Sequence, residues 1–303
     1  MAETLTTAFG KQIKEALSKT KVSTVITEDN VYQEGDPDIL PCLDEMVEYL
    51  SLPGSRLFGQ ENLEELLAKA ESGKSCLLLV EHYSNLDLSI VSYFARKAGG
   101  RGKNISDSII AIAGMKLNED NPVVAAFASA YTRIVIYPSR SLQGLDMDDE
   151  KNKAELSRSN AINRAAMKAL IRHKYKGRLV LVFPSGTRYR AWEPETKKGI
   201  REIDSYVRSF DYMCCVALNG EILHVQKTDM MNDIVTKDIV TVTAGPVMEC
   251  EAFREKARAS ASDDEDNKQA VADAIMNELE KMHIAAEEER KKLIEKQRTS
   301  PNP

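Results

Sequence analysis

At 303 residues, with 43% hydrophobic and 29% charged residues, the chain has the composition of a folded globular protein. Its formal net charge of −6 argues against a general nucleic-acid-binding protein, because such proteins neutralise phosphates with many Lys and Arg side chains. The five cysteines have no CxxC spacing and are odd in number, which predicts free thiols and a reducing compartment.

The amino terminus lacks the basic start and the apolar stretch of a signal peptide. No window reaches the ~18–20 consecutive apolar residues that span a bilayer. We therefore expect a soluble protein of the cytoplasm or of an organelle stroma, and peripheral contact with a membrane surface stays open.

The first 58 residues predict a small, loop-rich helical region, with apolar residues at helical spacing in Ala8–Leu17 and Asp38–Leu50. Residues 59–303 predict one α/β domain. Its strands are expected at short apolar runs: Ser75–Val80, Ile109–Ala113, Arg133–Tyr137, Arg178–Phe183, Tyr212–Leu218, Ile222–Val225 and Ile239–Val242. Its helices are expected where apolar residues recur every three or four positions: Asn62–Glu71, Leu86–Lys97, Pro122–Ala130, Lys151–His173, Gly199–Arg208, Glu251–Ala259 and Asn267–Lys296.

Continuous apolar strands that alternate with amphipathic helices are typical of a sheet buried on both faces. The fold class predicted here is therefore α/β, with a mixed, mostly parallel central sheet covered by helices on both faces. The strands Ile222–Val225 and Ile239–Val242 are candidates for an antiparallel edge of this sheet.

The first candidate site follows the strand Ser75–Val80. Ligands of open α/β sheets bind at the carboxyl ends of strands, and His82 lies just beyond such an end, with Asp87 in the first turn of the next helix. A carboxylate there would hold the imidazole tautomer while His82 takes a proton from an attacking hydroxyl. The same segment also fits a helix-capping box, with Ser84 as N-cap and Asp87 reaching back to its amide. The spacing alone leaves both interpretations open.

A second polar segment follows the strand Arg178–Phe183, where a tight turn with free backbone amides precedes Arg188 and Arg190. The turn is formed by Pro184, Ser185 and Gly186, and Thr187 belongs to the same supporting loop. Arginine binds phosphate oxygens in a bidentate manner, so the segment predicts a phosphate site. A surface turn with two ion-paired arginines is the alternative. A nucleophilic serine is not expected, because the turn lacks the G-x-S-x-G pattern.

A third strand, Arg133–Tyr137, is followed by Arg140, a further candidate phosphate ligand, although a buried strand with an exposed arginine is the simpler account. All three segments lie at strand ends, so one sheet could place a His–Asp pair and three arginines around a single cleft. That set suits a phosphate-bearing alcohol activated by histidine. The other histidines, His173, His224 and His283, have no such neighbours, and no residues have the spacing of a zinc site, so no metal is expected.

In this order the segments resemble the blocks of the glycerolipid acyltransferase superfamily of glycerol-3-phosphate and lysophosphatidate acyltransferases. The His-x4-Asp block is matched by His82 and Asp87, and the Phe-Pro-(Glu/Ser)-Gly-(Thr/Gly)-Arg block by Phe183–Arg188. Ser185 in place of the common Glu, followed by Arg190, is most similar to the soluble plastid-type glycerol-3-phosphate acyltransferase. Two further blocks match less well, since Arg140 stands where that enzyme has lysine and Cys215 replaces a proline.

The resemblance implies transfer of a fatty acyl group from acyl-CoA or acyl-carrier protein to the sn-1 hydroxyl of glycerol 3-phosphate. It implies His82 as general base, Asp87 as its orienter, and three phosphate ligands: Arg188, Arg190 and Arg140. Neither an acyl-enzyme nor a cofactor is expected. Two alternatives stay open: acylation of the sn-2 hydroxyl of lysophosphatidate, and a non-catalytic lipid- or acyl-carrier-binding module with the same fold.

Overall fold

The computed structural model describes residues 3–21, 25–115, 121–142, 149–261 and 266–299. Its strands, numbered β1 to β12 in chain order, are Glu3–Thr4, Tyr32–Gln33, Arg56–Phe58, Cys76–Val80, Ile109–Gly114, Arg133–Ile136, Leu179–Val182, Tyr212–Asn219, Leu223–His224, Ile234–Val235, Thr241–Ala244 and Met248–Glu249. Its α-helices, numbered α1 to α10, are Leu5–Lys19, Leu40–Leu50, Gln60–Glu71, Asp87–Lys97, Gly102–Ser108, Pro122–Ser129, Glu150–His173, Ile203–Ser209, Cys250–Ala259 and Asn267–Thr299. Short 3₁₀ turns occur at Ser139–Leu142, Pro194–Lys197 and Met230–Asn232.

The main sheet has the strand order β2-β6-β5-β7-β4-β8-β11-β3. Its central strands β6, β5, β7, β4 and β8 are parallel to one another. By contrast, β2 is antiparallel to β6, and β11 is antiparallel to β8. All five residues of β4 are buried, as expected for a parallel strand covered on both sides. The prediction of a mixed, mostly parallel sheet is confirmed.

Helices cover the two faces of this sheet in chain order. On β4, Leu78 and Val80 pack into one layer and Leu77 and Leu79 into the other, because successive side chains of a strand point to opposite faces. Buried residues of α1 to α6 belong to the first layer, and buried residues of α7 to α10 belong to the second. The prediction of helices on both faces is therefore confirmed.

The predicted antiparallel edge is only partly right. Strand β11 does pair antiparallel with β8, but β3 lies parallel on its other side, so β11 is an inner strand. The run Ile222–Val225 contributes β9 to a separate small sheet with the order β1-β10-β9, and its assignment to the main sheet is wrong. Both errors have the same cause, since two- and three-residue strands are too short to show a period of two in the sequence.

Residues of the predicted N-terminal region pack into the first layer, including Leu5 and Phe9 of α1 and Leu43 of α2. Strands β2 and β3 also come from this region and join the main sheet. The division of the chain at residue 58 stays a prediction. All five cysteines are free and buried. Within the described ranges, no helix combines the length and the apolar character needed to cross a bilayer.

Candidate active site

The loop between β4 and α4 holds His82 against the buried carboxylate of Asp87. Oδ2 of Asp87 lies 2.8 Å from Nδ1 of His82 and also accepts the backbone N–H groups of Tyr83 at 2.6 Å and Ser84 at 2.9 Å. Oδ1 accepts the Ser84 hydroxyl at 2.8 Å. Four donors therefore fix the carboxylate. Because a carboxylate only accepts hydrogen bonds, it selects the His82 tautomer with the proton on Nδ1.

The capping interpretation of the same segment holds in part. Asp87 reaches back to the Ser84 amide, as a capping box requires. However, the N-cap of α4 is Leu86, so the N-cap position predicted for Ser84 is wrong. The N-cap lies two residues later than predicted. Within the loop, Ser84 Oγ accepts the Leu86 amide at 3.1 Å. One carboxylate thus closes the loop and orients the histidine.

The His82 ring is held on its face as well as on one edge. It stacks on Phe183, with 3.9 Å between ring centroids and 14° between planes. Its side chain is 16% exposed, and no described residue forms a hydrogen bond with Nε2. The ring therefore has a fixed orientation and one nitrogen that can accept a proton from a ligand.

The turn after β7 is tight, as its sequence predicts, but the Gly186 amide is not free. The Gly186 N–H donates to the Phe183 carbonyl oxygen at 2.9 Å, and the Ser185 hydroxyl donates to the Thr187 carbonyl oxygen at 2.6 Å. Gly186 has a φ of 63°, and a Cβ at this position would lie 2.8 Å from Cδ1 of Ile200. The left-handed conformation therefore favours glycine, and a larger residue would also displace the Ile200 side chain.

This turn brings Arg188 next to the first loop, since the Tyr189 N–H donates to the His82 carbonyl oxygen at 2.8 Å. Nη1 of Arg188 lies 3.6 Å from Oδ2 of Asp233, too far for a hydrogen bond. Both atoms are buried and have no hydrogen-bond partner among the described residues. Burial lowers the pKa of Arg188 against the opposing charge of Asp233, and burial raises the pKa of Asp233. A buried guanidinium with an unused N–H is a favourable place for an anionic oxygen.

The other two candidate arginines are placed differently. Nη1 of Arg190 lies 2.8 Å from Oε2 of Glu193, the ion-paired arrangement of an ordinary surface turn. Arg140 is exposed in the 3₁₀ turn after β6. Strands β5 and β7 separate β6 from β4, so the ends of β6 and β4 are roughly 14 Å apart. No hydrogen bond or ion pair in the described part of the chain connects Arg140 with His82 or Arg188.

A second histidine–carboxylate pair lies directly behind the first, and sequence reasoning missed it. Oε2 of the buried Glu81 lies 2.9 Å from Nδ1 of His283 and accepts the Leu218 amide at 2.8 Å, while Oε1 accepts the Tyr83 hydroxyl at 2.9 Å. Burial alone would lower the pKa of His283, but the hydrogen bond and the charge of Glu81 raise it. The expectation that His283 has no acidic neighbour is wrong. Its partner is 202 residues away, and the only local signal was a charged residue at the end of an apolar strand.

The same expectation fails for His224, whose Nδ1 lies 3.0 Å from Oε1 of Glu221 on the protein surface. Beside Glu81 and His82 there is a cavity of about 20 Å³, which holds little more than a water molecule. Its lining comes from the end of β4, the two loops, the 3₁₀ turn Pro194–Lys197 and α10: Val80, Glu81, His82, Tyr83, Pro184, Ser185, Tyr189, Thr196, Lys197 and Met276. It is too small for an acyl donor or acceptor, so substrates would bind outside it.

Both loops lie inside a segment that matches a known family. A family model described as Acyltransferase matches residues 56–242, more than half of the chain. The chain belongs to this acyltransferase family. No curated protein matches the chain. The family match confirms the resemblance to the glycerolipid acyltransferase superfamily, while the similarity to the plastid-type enzyme stays a prediction.

Membership supports acyl transfer to a lipid backbone as the general chemistry of this acyltransferase. The structure brings together His82, Asp87 and the Phe183–Arg188 turn, and it leaves Arg140 apart. In the described ranges no cluster of three or more His, Cys, Asp or Glu side chains could hold a metal ion. The roles of the individual residues and the expectation that no cofactor is needed stay predictions.

Proposed function

We propose that this acyltransferase transfers a fatty acyl group from acyl-CoA or acyl-carrier protein to the sn-1 hydroxyl of glycerol 3-phosphate. The observation that carries the proposal is the state of two neighbouring groups. His82 has one nitrogen on a buried carboxylate and the other without a partner among the described residues, and Arg188 beside it has a buried N–H that is equally unused. A base and an anion-binding group side by side match an acceptor with a hydroxyl and a phosphate.

In the proposed reaction, Nε2 of His82 takes the proton of the sn-1 hydroxyl as its oxygen attacks the thioester carbonyl carbon. The tetrahedral intermediate then expels the thiolate, which takes that proton from the imidazolium and leaves as free thiol. Asp87 stabilises the imidazolium between these two steps and keeps its ring in place. The acyl group passes directly from sulfur to oxygen, so no acyl-enzyme forms.

Arg188 would bind the phosphate and thereby place the hydroxyl within reach of His82. Its Nη1 already points to a buried acid at 3.6 Å, and a phosphate oxygen would provide the hydrogen bond that Asp233 does not. Arg190 would join the site by exchanging Glu193 for the phosphate, and Arg140 would need to approach across two strands. Arg188 is therefore the primary phosphate ligand in this proposal.

The donors that stabilise the oxyanion are a separate requirement. The amides of Tyr83 and Ser84 donate to Asp87, and the Leu86 amide donates to Ser84 Oγ. These three amides of the first loop are therefore occupied, and the oxyanion donor must be a group other than these three.

Release of free thiol from acyl-CoA and from acyl-carrier protein tests the proposal when measured with four acceptors: none, glycerol, glycerol 3-phosphate and lysophosphatidate. We expect release with glycerol 3-phosphate and little with glycerol, because glycerol lacks the phosphate that Arg188 would bind. Release that depends on lysophosphatidate would replace the proposal with the sn-2 activity. No release with any acceptor would favour the non-catalytic binding module.

The position of acylation needs its own measurement. The monoacyl product is isolated and its sn-1 and sn-2 isomers are separated before acyl migration occurs. A product acylated mainly at sn-1 supports the proposal, and a product acylated mainly at sn-2 contradicts it even if glycerol 3-phosphate is the acceptor.

A further inference from the structure

A row of exposed apolar side chains runs along the outer side of α7 and into the turn that follows it. Met167 and Ile171 are four residues apart on α7, so they lie one above the other on the same side, and Tyr175 follows four residues later in the turn. They are 53%, 56% and 51% exposed. Met167 and Ile171 lie about 6 Å apart along the axis of α7. The opposite side of α7, with Ile162 and Leu170, is buried in the second layer of the core.

A row of basic side chains lies beside the apolar row and has the same spacing of four residues. It consists of Arg164, Lys168, Arg172 and Lys176. All four residues are exposed, and in the described part of the chain none of them forms an ion pair. Residues 156–178 contain seven Lys or Arg and no Asp or Glu, although the whole chain has a net charge of −6. We call the two rows together the α7 face.

The α7 face is remote from the candidate active site. Helix α7 connects β6 with β7, so its carboxyl end leads into the amino end of β7. His82 and Arg188 follow the carboxyl ends of β4 and β7, which are parallel neighbours. The face therefore lies towards the amino ends of the parallel strands, opposite the loops that hold His82 and Arg188. Substitutions in the face leave those loops unchanged.

We propose that the α7 face docks the protein on an anionic lipid membrane. Helices that lie in a membrane interface have this division, with apolar side chains that enter the acyl boundary and Lys or Arg side chains that meet the phosphate headgroups. A tyrosine ring at the end of the row also suits the interface, where its apolar body and polar hydroxyl find different surroundings. Charge complementarity favours an anionic membrane surface, since all Lys, Arg, Asp and Glu residues of segment 156–178 are basic while the whole chain is acidic.

Vesicle sedimentation with the full chain tests this proposal. The vesicles contain either phosphatidylcholine alone or phosphatidylcholine with an equal amount of phosphatidylglycerol. We expect binding to the mixed vesicles that weakens as salt is added, and weak binding to phosphatidylcholine. Each Lys or Arg near an anionic membrane strengthens binding roughly fivefold, so the double variant K168Q/R172Q should bind about 25-fold more weakly.

The apolar row is tested with M167S/I171S, which should also reduce binding to the mixed vesicles. The matched controls are K291Q/K292Q, which removes two exposed lysines of α10, and Ile284→Ser, which removes an apolar side chain that is 57% exposed. These controls should bind as the wild type does. All four variants change surface positions, so we expect unchanged thermal unfolding and unchanged acyl transfer to soluble acceptors.

Equal binding to both kinds of vesicle, or face variants that bind as the wild type and the controls do, would overturn the proposal. The same holds if the face variants lose binding to an acyl-carrier protein or to a second copy of the chain but keep vesicle binding. That result would assign the face to a protein partner. Because sedimentation involves no acyl transfer, its outcome is independent of the proposed function.

Discussion

Two histidine–carboxylate pairs lie back to back at the end of β4, and they differ in the groups that they leave without a partner. The front pair joins His82 and Asp87 at 2.8 Å, and the rear pair joins His283 and Glu81 at 2.9 Å. In front, Nε2 of His82 and Nη1 of Arg188 have no hydrogen-bond partner among the described residues. Behind, both oxygens of Glu81 are occupied, as those of Asp87 are in front, and no buried side-chain atom of the rear pair lacks a partner among the described residues.

The rear pair has the features of a structural support. Strand β4 ends at Val80, so its backbone offers no acceptor to the Leu218 amide of the neighbouring strand β8. The Glu81 carboxylate accepts that amide instead. Through His283 the same carboxylate attaches α10 to the loop between β4 and α4. Unused buried polar groups destabilise a fold unless a ligand satisfies them, whereas a satisfied network stabilises it. We therefore expect different consequences when the two pairs are broken. Breaking the front pair should lower activity, and breaking the rear pair should lower stability.

The largest expected effect is the loss of activity in His82→Ala. Removing a general base typically lowers the rate ~10²–10⁴-fold, and the partly exposed ring contributes little to the core. The measurement is thiol release with glycerol 3-phosphate, together with the midpoint of thermal unfolding. The matched variant His283→Ala should lower the unfolding midpoint more and the rate less. Appreciable turnover by His82→Ala, or equal rate losses in both variants, would remove the distinction between the pairs.

A smaller effect is expected when the buried, unpartnered guanidinium N–H of Arg188 is removed. Arg188→Ala should raise the KM for glycerol 3-phosphate by about 10–100-fold, since a hydrogen bond to a charged group contributes on the order of 1.5–3 kcal/mol. Arg140→Ala is the matched control, because its side chain is exposed and apart from the pair. If Arg140→Ala raises the KM as much as Arg188→Ala does, the assignment of Arg188 as the primary ligand is wrong.

The front pair could be predicted from the sequence because its parts are local. His82 and Asp87 are five residues apart at a strand end, and the Phe183–Arg188 turn is a contiguous block after another strand. The same locality explains why the apolar runs of the central parallel strands were readily identified. The N-cap was predicted at Ser84 instead of Leu86 because the sequence does not show how many loop residues precede the helix.

The remaining features depend on contacts between distant parts of the chain. Glu81 meets His283 across 202 residues, and nothing in either local sequence indicates the other. The unpartnered N–H of Arg188 likewise depends on the position of Asp233, which is 45 residues away in the sequence and lies 3.6 Å from Nη1. The edge strand Arg56–Phe58 pairs with β11 from far away and is too short for a visible pattern. The sequence therefore predicted the layers and the front loops, but not the network that supports them.

An effect on stability rather than on rate is expected for Glu81→Ala. The substitution leaves the buried Leu218 amide and the His283 ring without their acceptor, which should lower the free energy of unfolding by about 1–3 kcal/mol. Glu81→Gln is the matched variant and should lose less, because its carbonyl oxygen can still accept one of these bonds. Urea unfolding measures both values. Glu81→Ala with unchanged stability would contradict the role of the rear pair as a support.

The smallest expected effect is a pH dependence that separates the rear histidine from a third one. The pKa of His283 is raised in the folded protein from an ordinary value of 6.5, so its contribution to stability is fully present below that value and disappears as the pH rises through the folded-state pKa. The wild type should therefore exceed His283→Gln in free energy of unfolding by more at about pH 5 than at about pH 9.

His173 provides a control of opposite sign. It stacks on Tyr32, and burial together with the neighbouring cations Lys176, Arg178 and Arg172 lowers its pKa. A lowered histidine pKa means that stability is lost as the pH falls through the ordinary value, so the advantage of the wild type over His173→Gln should shrink at acidic pH. Urea unfolding at a series of pH values measures both differences. If the two differences in free energy of unfolding change with pH in the same direction, Glu81 does not hold a proton on His283. The proposed difference between the front pair and the rear pair would then be wrong.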